Sequence, residues 1–248
     1  MSVYVLVHGS WHSASSWARV VPLLEAQGHR VFTPTLTGHG EKVHLMTPEV
    51  GLETHVIDVI GLVLAEDLSD VVLVGHSYGG VVISQVADAI PERIRHLVYI
   101  DAIVPENGES AVDVMPTVFQ PLIDRVAESA VPWLIPPPPV SPAGLFGITD
   151  PDDVAWVRST LSGQAVRSWT QPVLLENPAA DAISRTHIHC ARHPRAADRR
   201  PVPPVQPNGT PADVREIDSG HDCMIIAPAA LTRMLLDLQP THQKEHSR

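Results

Sequence analysis

The segment Val71-Val72-Leu73-Val74-Gly75-His76-Ser77-Tyr78-Gly79-Gly80 constrains this chain more than any other. Its first four residues are apolar and three of them are β-branched, the signature of a strand buried on both faces. They run straight into G-x-S-x-G, and Val81-Val82-Ile83-Ser84-Gln85-Val86-Ala87 beyond reads as an apolar helix. Strand, sharp turn and helix in that order make a nucleophile elbow. Ser77 then occupies a strained backbone position at the carboxyl edge of a sheet, where a base can reach its hydroxyl. The flanking glycines let strand and helix approach more closely than side chains would allow. Five-residue glycine motifs recur by chance; the strand before this one and the helix after it give it weight.

The rest of the chain alternates in the same way. Strand patterns fall at Val3–Val7, Arg30–Thr33, Val71–Val74, Ile94–Ile100, Thr186–Cys190 and Val214–Ile217. Helical patterns fall at Ser15–Gln27 with Gly28 as its stop, at Leu52–Ala65, at Val81–Ala89 and at Pro228–Leu238. Such alternation predicts an α/β fold with a mostly parallel, doubly wound sheet. Residues 105–180 differ: they hold Pro136-Pro137-Pro138-Pro139 and the aromatics Phe119, Trp133, Phe146, Trp156 and Trp169, without strand periodicity. A linker would be poor in tryptophan and leucine, so this stretch is expected to be a cap inserted into a core made of 1–104 and 181–240. Residues 241–248 read as a polar tail.

Composition excludes some partners. A net charge of −11 disfavours nucleic acid and anionic membranes. No apolar run approaches the roughly 20 residues of a membrane span. The chain goes from Met1-Ser2 directly into a strand, without signal-peptide features, and carries two cysteines, Cys190 and Cys223, so a cytoplasmic location is expected. Oligomeric state stays open, a homodimer included.

Serine is a weak nucleophile until a base accepts its proton. In an elbow architecture that base follows the last strand, where Ile217-Asp218-Ser219-Gly220-His221-Asp222 supplies His221. The backbone N–H of Tyr78, next after the nucleophile, is one expected oxyanion donor. The N–H of Ser10, in the loop His8-Gly9-Ser10-Trp11 after the first strand, is the other. Gly9 lets that loop bend toward the site, and His8 reads as a structural hydrogen-bonder. Gly9, Trp11, Trp133 and Phe146 are the expected pocket residues. His187, His189 and Cys190 are too loosely spaced for a metal site, and no metal or cofactor is expected.

His8-Gly9-Ser10-Trp11-His12 with Trp17, Gly75–Gly80, and Gly220-His221-Asp222-Cys223-Met224 together resemble the α/β-hydrolase superfamily. Within it the chain is similar to the branch of plant methyl esterases, hydroxynitrile lyases and bacterial pyrethroid-type carboxylesterases, from residue 3 to about 238. The resemblance implies ester hydrolysis through an acyl-enzyme on a small hydrophobic ester. Two departures stand out. The lyases carry a side chain at Gly9 and a lysine at Asp222; an acidic group there would repel cyanide, which favours the esterase. In the plant esterases the triad acid falls three residues after the cysteine of a late strand, but counting from Cys190 gives His193. Asp198, flanked by arginines, and Asp101 are the two candidates. Asp101 closes the strand Ile94–Ile100, where haloalkane dehalogenases place their acid, and is preferred. C–C or C–X cleavage, lactone opening or a lyase reaction on a small natural product, or ligand binding without chemistry, are the alternatives.

Overall fold

The computed structural model describes residues 1–194 and 196–238; the expected polar tail lies outside them. Its strands are β1 (Val3–Val7), β2 (Arg30–Phe32), β3 (Val71–His76), β4 (Ile94–Ile100), β5 (Leu134–Ile135), β6 (Gln164–Ala165), β7 (Ser184–Cys190) and β8 (Asp213–Ile217). Six of these form one parallel sheet in the order β2-β1-β3-β4-β7-β8. The order reverses at β1: the chain steps to β2 on one side and then crosses to β3 on the other. In open parallel sheets such a reversal leaves a crevice at the carboxyl ends of the two diverging strands. The loops carrying Ser10 and Ser77 leave from there.

Period-two alternation divides the apolar residues between the two faces. Val71 and Leu73 of β3 pack with helices α2 (Leu52–Ala65) and α3 (Gly79–Ala89) through Val56, Val59, Val63, Val82 and Val86. Val72 and Val74 face the opposite layer, where Trp17, Leu24, Leu231 and Leu235 lie. Both faces are covered, which explains why β3 reads as an uninterrupted apolar run.

The pattern at 15–27 is not one helix. It divides into a 3₁₀ turn, Ala14–Trp17, and a short α1, Val21–Glu25. Pro22 has no N–H and its ring clashes with the carbonyl four residues earlier, which favours it in the first turn of a helix. Gly28, at φ +79°, ends this unit as expected.

Residues 105–180 form four helices, α4 (Ala111–Val114), α5 (Pro116–Ala127), α6 (Pro151–Thr160) and α7 (Val166–Thr170), with the antiparallel pair β5–β6. The chain returns through β7 and β8 to α8 (Cys223–Ile226) and α9 (Pro228–Leu236). No helix among the described residues is long and apolar enough to cross a membrane.

Candidate active site

Ser77 sits between β3 and α3 at φ +53°. Its N–H donates to the Ile100 carbonyl (3.1 Å), and its own carbonyl accepts from Gly80 and Ile103 (3.0 Å each), so neighbouring backbone holds the turn. A Cβ on Gly75 would lie 2.5 Å from the Gly79 carbonyl oxygen, and one on Gly79 would lie 2.8 Å from that of Val7. The glycine requirement is therefore steric. Among the described non-glycine residues with positive φ, Trp11, Ser77, Asp101 and Phe146 all line one cavity of about 520 Å³. Backbone strain concentrated in this way is typical of functional sites.

His221 and Asp101 line the same cavity as Ser77. The His221 Nδ1 lies 2.6 Å from Asp101 Oδ2. An ionised carboxylate only accepts, so Nδ1 carries the proton and Nε2 is left to accept. Asp101 also receives Arg199 (Nη1 to Oδ1, 2.7 Å), and its side chain is 1% exposed. Burial alone would raise the Asp101 pKa; the His221 and Arg199 hydrogen bonds and charges override it and hold the carboxyl far below the usual range. Asp198 stands elsewhere. Its Oδ2 accepts from Thr117 N and Oγ1, both at 2.8 Å, at the start of α5. The loop after β7 thus sends the arginine next to Asp198, not Asp198 itself, to Asp101. His193 comes too, its ring 4.6 Å from that of His221 and its Nε2 3.9 Å from Asp101.

The loop after β1 is held from several sides. The Ser10 hydroxyl accepts from Trp169 Nε1 (2.9 Å), and the Trp11 amide donates to Gln164 Oε1 (3.0 Å). Among the described residues neither the Ser10 nor the Tyr78 amide has a recorded acceptor. Ser10 lines the same cavity as Ser77, and Tyr78, next in sequence to Ser77, caps the N-terminus of α3, where the helix dipole favours negative charge. His8 accepts the Leu36 amide at Nε2 (3.0 Å) and donates from Nδ1 to the Gly9 carbonyl (2.9 Å). Burial pushes its pKa down to about 3, in keeping with a neutral structural ring. Gly9 lies beneath the nucleophile: a Cβ there would come within 2.9 Å of Ser77 Cβ and 3.0 Å of His76 Nδ1.

Asp222 is not in the cavity wall. It is fully buried, with Oδ2 2.9 Å from His12 Nε2, while His12 Nδ1 faces the Ser10 carbonyl at 2.8 Å. The expectation that Asp222 repels an anionic substrate therefore fails: its charge is spent on His12. His76 donates from Nε2 to the His221 carbonyl (3.0 Å), and burial takes its pKa down to about 3.

Trp11 and Phe146 stack at 5.9 Å in the cavity wall, joined by Met115, Val118 and Phe119. Trp133, expected in that wall, is not there. It lies at the β5–β6 pair, its carbonyl accepting from Val166 N (2.8 Å). Trp156 faces the other layer, under Arg19. The tryptophan behind the loop after β1 is Trp169, fully buried against Trp11 and Phe119. Arg199, His193, His12 and Trp169 were not singled out for the site in the sequence. His12 carried a local signal through its place in His8-Gly9-Ser10-Trp11-His12, and His193 through its place three residues after Cys190, where a histidine is unsuitable as the acid.

Among the described residues, His76, His221 and Asp222, and separately Asp101, His193 and His221, bring ligand-type atoms together. Both sets use His221, and a metal in the second would displace the Asp101–His221 hydrogen bond.

This geometry is accompanied by clear relationships. The model of the alpha/beta hydrolase family matches residues 4–234. A carbendazim hydrolyzing esterase of Nocardioides sp. is 37% identical over 252 aligned positions, spanning 96% of this chain and all of that protein. A pyrethroid hydrolase of Sphingobium wenxiniae is 36% identical over 106, covering 42% of this chain and 37% of its own. Among solved structures, an extracellular alpha/beta-hydrolase from a Paenibacillus species superposes with a TM-score of 0.78 at 23% identity, covering 95% and 98% of the two chains. Tomato methylketone synthase I reaches 0.75 at 19%, covering 95% and 96%. The chain belongs to the α/β-hydrolase family, and the relatives that match it in sequence include ester hydrolases.

Proposed function

We propose that this protein hydrolyses a carboxylic ester through a serine acyl-enzyme. The observation that carries the reading is the 2.6 Å contact between Asp101 and His221 Nδ1 in the cavity that also holds Ser77 at its strained turn.

Asp101 fixes the His221 tautomer with Nε2 free to accept, and stabilises the imidazolium that forms. Ser77 Oγ attacks the ester carbonyl carbon as its proton passes to His221 Nε2. The carbonyl oxygen becomes an oxyanion, held by the N–H groups of Ser10 and Tyr78 at the α3 terminus. As the intermediate collapses, the bond to the alcohol oxygen breaks and His221 returns the proton to that oxygen. Water, deprotonated by His221, then attacks the acyl-enzyme; as that second intermediate collapses, the bond to Ser77 Oγ breaks, His221 returns the proton to Oγ and the acid leaves. No metal or organic cofactor takes part.

The apolar wall of the cavity supports a small hydrophobic substrate, as does the end-to-end likeness to the Nocardioides carbendazim hydrolyzing esterase. Residues 105–180 supply much of that wall and act as a cap on the core. Cys190 and Cys223 are both free and buried, which fits a reducing, cytoplasmic compartment.

Ser77→Ala lowers kcat for p-nitrophenyl butyrate on the order of 10⁶-fold and leaves the circular dichroism spectrum unchanged. Undiminished turnover in the variant would remove the proposal.

A further inference from the structure

Two cavities meet at Trp11. One holds Ser77. The other, of about 500 Å³, lies between α5 and the proline run, lined by Leu122, Val126, Leu134 and Ile135. Trp11, Pro138 and Pro139 belong to both walls. Helix α5 serves both as well: Val118 and Phe119 face the first cavity, Leu122, Arg125 and Val126 the second. These positions fall at helical spacings of three and four, so one stripe of α5 runs past both chambers. From Val118 to Val126 that stripe covers about 12 Å.

Trp11 stands in both walls and is held there by its neighbours. Trp11 donates from Nε1 to the Ile135 carbonyl (3.1 Å), stacks on Phe146 and meets the edge of Trp169 at 5.3 Å. The second chamber is poor in donors, because Pro136–Pro139 have no amide N–H. Water there finds few partners, so an apolar group displaces it at a gain.

We propose that the second chamber binds the distal end of a long apolar arm on the same ester whose carbonyl lies at Ser77. Its occupant is substrate, because the chamber shares Trp11, Pro138 and Pro139, and one stripe of α5, with the Ser77 cavity. The inference rests on the esterase reading and extends it: the substrate class is an ester with an arm of about 12 Å beyond the carbonyl, neutral or anionic at its tip, where Arg125 stands.

The test compares p-nitrophenyl butyrate with p-nitrophenyl dodecanoate, and butyl with dodecyl butyrate, so that the arm is lengthened on either side of the ester. In one series the long member has a kcat/KM higher by about tenfold or more, the yield of roughly two buried methylenes. Ala130→Trp and Val131→Trp, at exposed positions lining the second chamber, then remove that advantage by raising KM for the long member, with the short member unchanged. Absence of a long-chain advantage in both series, or its survival in both variants, overturns the inference while leaving the esterase reading intact. If no ester is turned over, the esterase reading fails first. Dodecanoate binding, measured by calorimetry, then decides the chamber: weakening in Ala130→Trp supports it, and equal binding overturns it.

Discussion

The His12 ring and the Asp222 carboxylate meet at 2.9 Å across 210 residues of chain, with 3% and 0% of their side chains exposed. Both His12 nitrogens face acceptors, the Ser10 carbonyl and Asp222, so the ring is an imidazolium. Burial opposes that charge, but the Asp222 charge and hydrogen bond and the Ser10 carbonyl outweigh it and hold the His12 pKa above its ordinary value. Burial would likewise raise Asp222; His12 and, more weakly, His76 and His221 bring it below. The pair ties the loop bearing Ser10 to the loop bearing His221.

Removing one member leaves a buried charge without its partner. Asp222→Ala is expected to lose about 3–5 kcal/mol of stability, measured by urea unfolding. The loss depends on pH. The contribution of His12, whose pKa is raised on folding, is complete below about 6.5 and fades as pH rises through the raised value. That of Asp222, whose pKa is lowered, is complete above about 4 and fades as pH falls through the depressed value. The difference between wild type and variant is therefore greatest between about pH 4 and 6.5. A loss no larger than about 1 kcal/mol, the value of a surface pair, would show that the charge pair is not formed.

Asp101→Asn keeps the shape of the acid but can present an NH₂ group to His221, selecting the wrong tautomer. A fall in kcat of about 10⁴-fold is expected with p-nitrophenyl butyrate. Asp198→Asn, which only loosens the Thr117 contacts at the start of α5, leaves kcat as it was and costs about 1 kcal/mol of stability. The reverse ranking would give the orienting role to Asp198.

Arg199→Gln removes the cation beside Asp101. Asp101 is held below its ordinary pKa, so its contribution to stability is present above about pH 4 and is lost as pH falls through the depressed value. The variant brings the Asp101 pKa up toward the ordinary range. It should lose about 1.5–3 kcal/mol near neutrality, and its acid unfolding midpoint should move to higher pH. An unmoved midpoint in an acid titration followed by tryptophan fluorescence would refute this.

Gly9→Ala places a methyl group 2.9 Å from Ser77 Cβ. Either the serine or the loop after β1 must shift, and a displacement of about 1 Å is expected to cost on the order of 10²-fold in kcat. The same variant should bind a substrate-like ketone with little change, which steady-state inhibition would measure.

Much of this is legible in the sequence, and the reasons are local. β1, α2 and β4 have the bounds read from their apolar periodicity, because each is a continuous period-two or helical run with a clear stop. Ser77 was marked by a strand and a helix adjoining its turn, and Asp101 by its place at the end of the strand next to it. The 15–27 pattern misled because Pro22 outweighs periodicity. Arg199 and His193 reach the site from a loop of prolines, arginines and alanines with no period to follow, and Arg199 lies 98 residues from Asp101. Trp133 and Trp169 stand in the same irregular segment, and only the folded path of α5 to α7 distinguishes the one beside the site from the one away from it.

Ser77 and Asp101 terminate two neighbouring strands, both in left-handed conformation, and the Ser77 amide bonds the residue just before Asp101. Their separation is thus set by the fixed spacing of adjacent strands, about 4.8 Å, and not by residues 105–180. The proposed chemistry is mounted on the sheet, while Met115, Val118, Phe119 and Phe146 of the cavity wall hang from residues 105–180. Selection can rewrite α4 to α7 for a new ester without realigning nucleophile and acid, much as a lathe keeps its spindle when the chuck is changed.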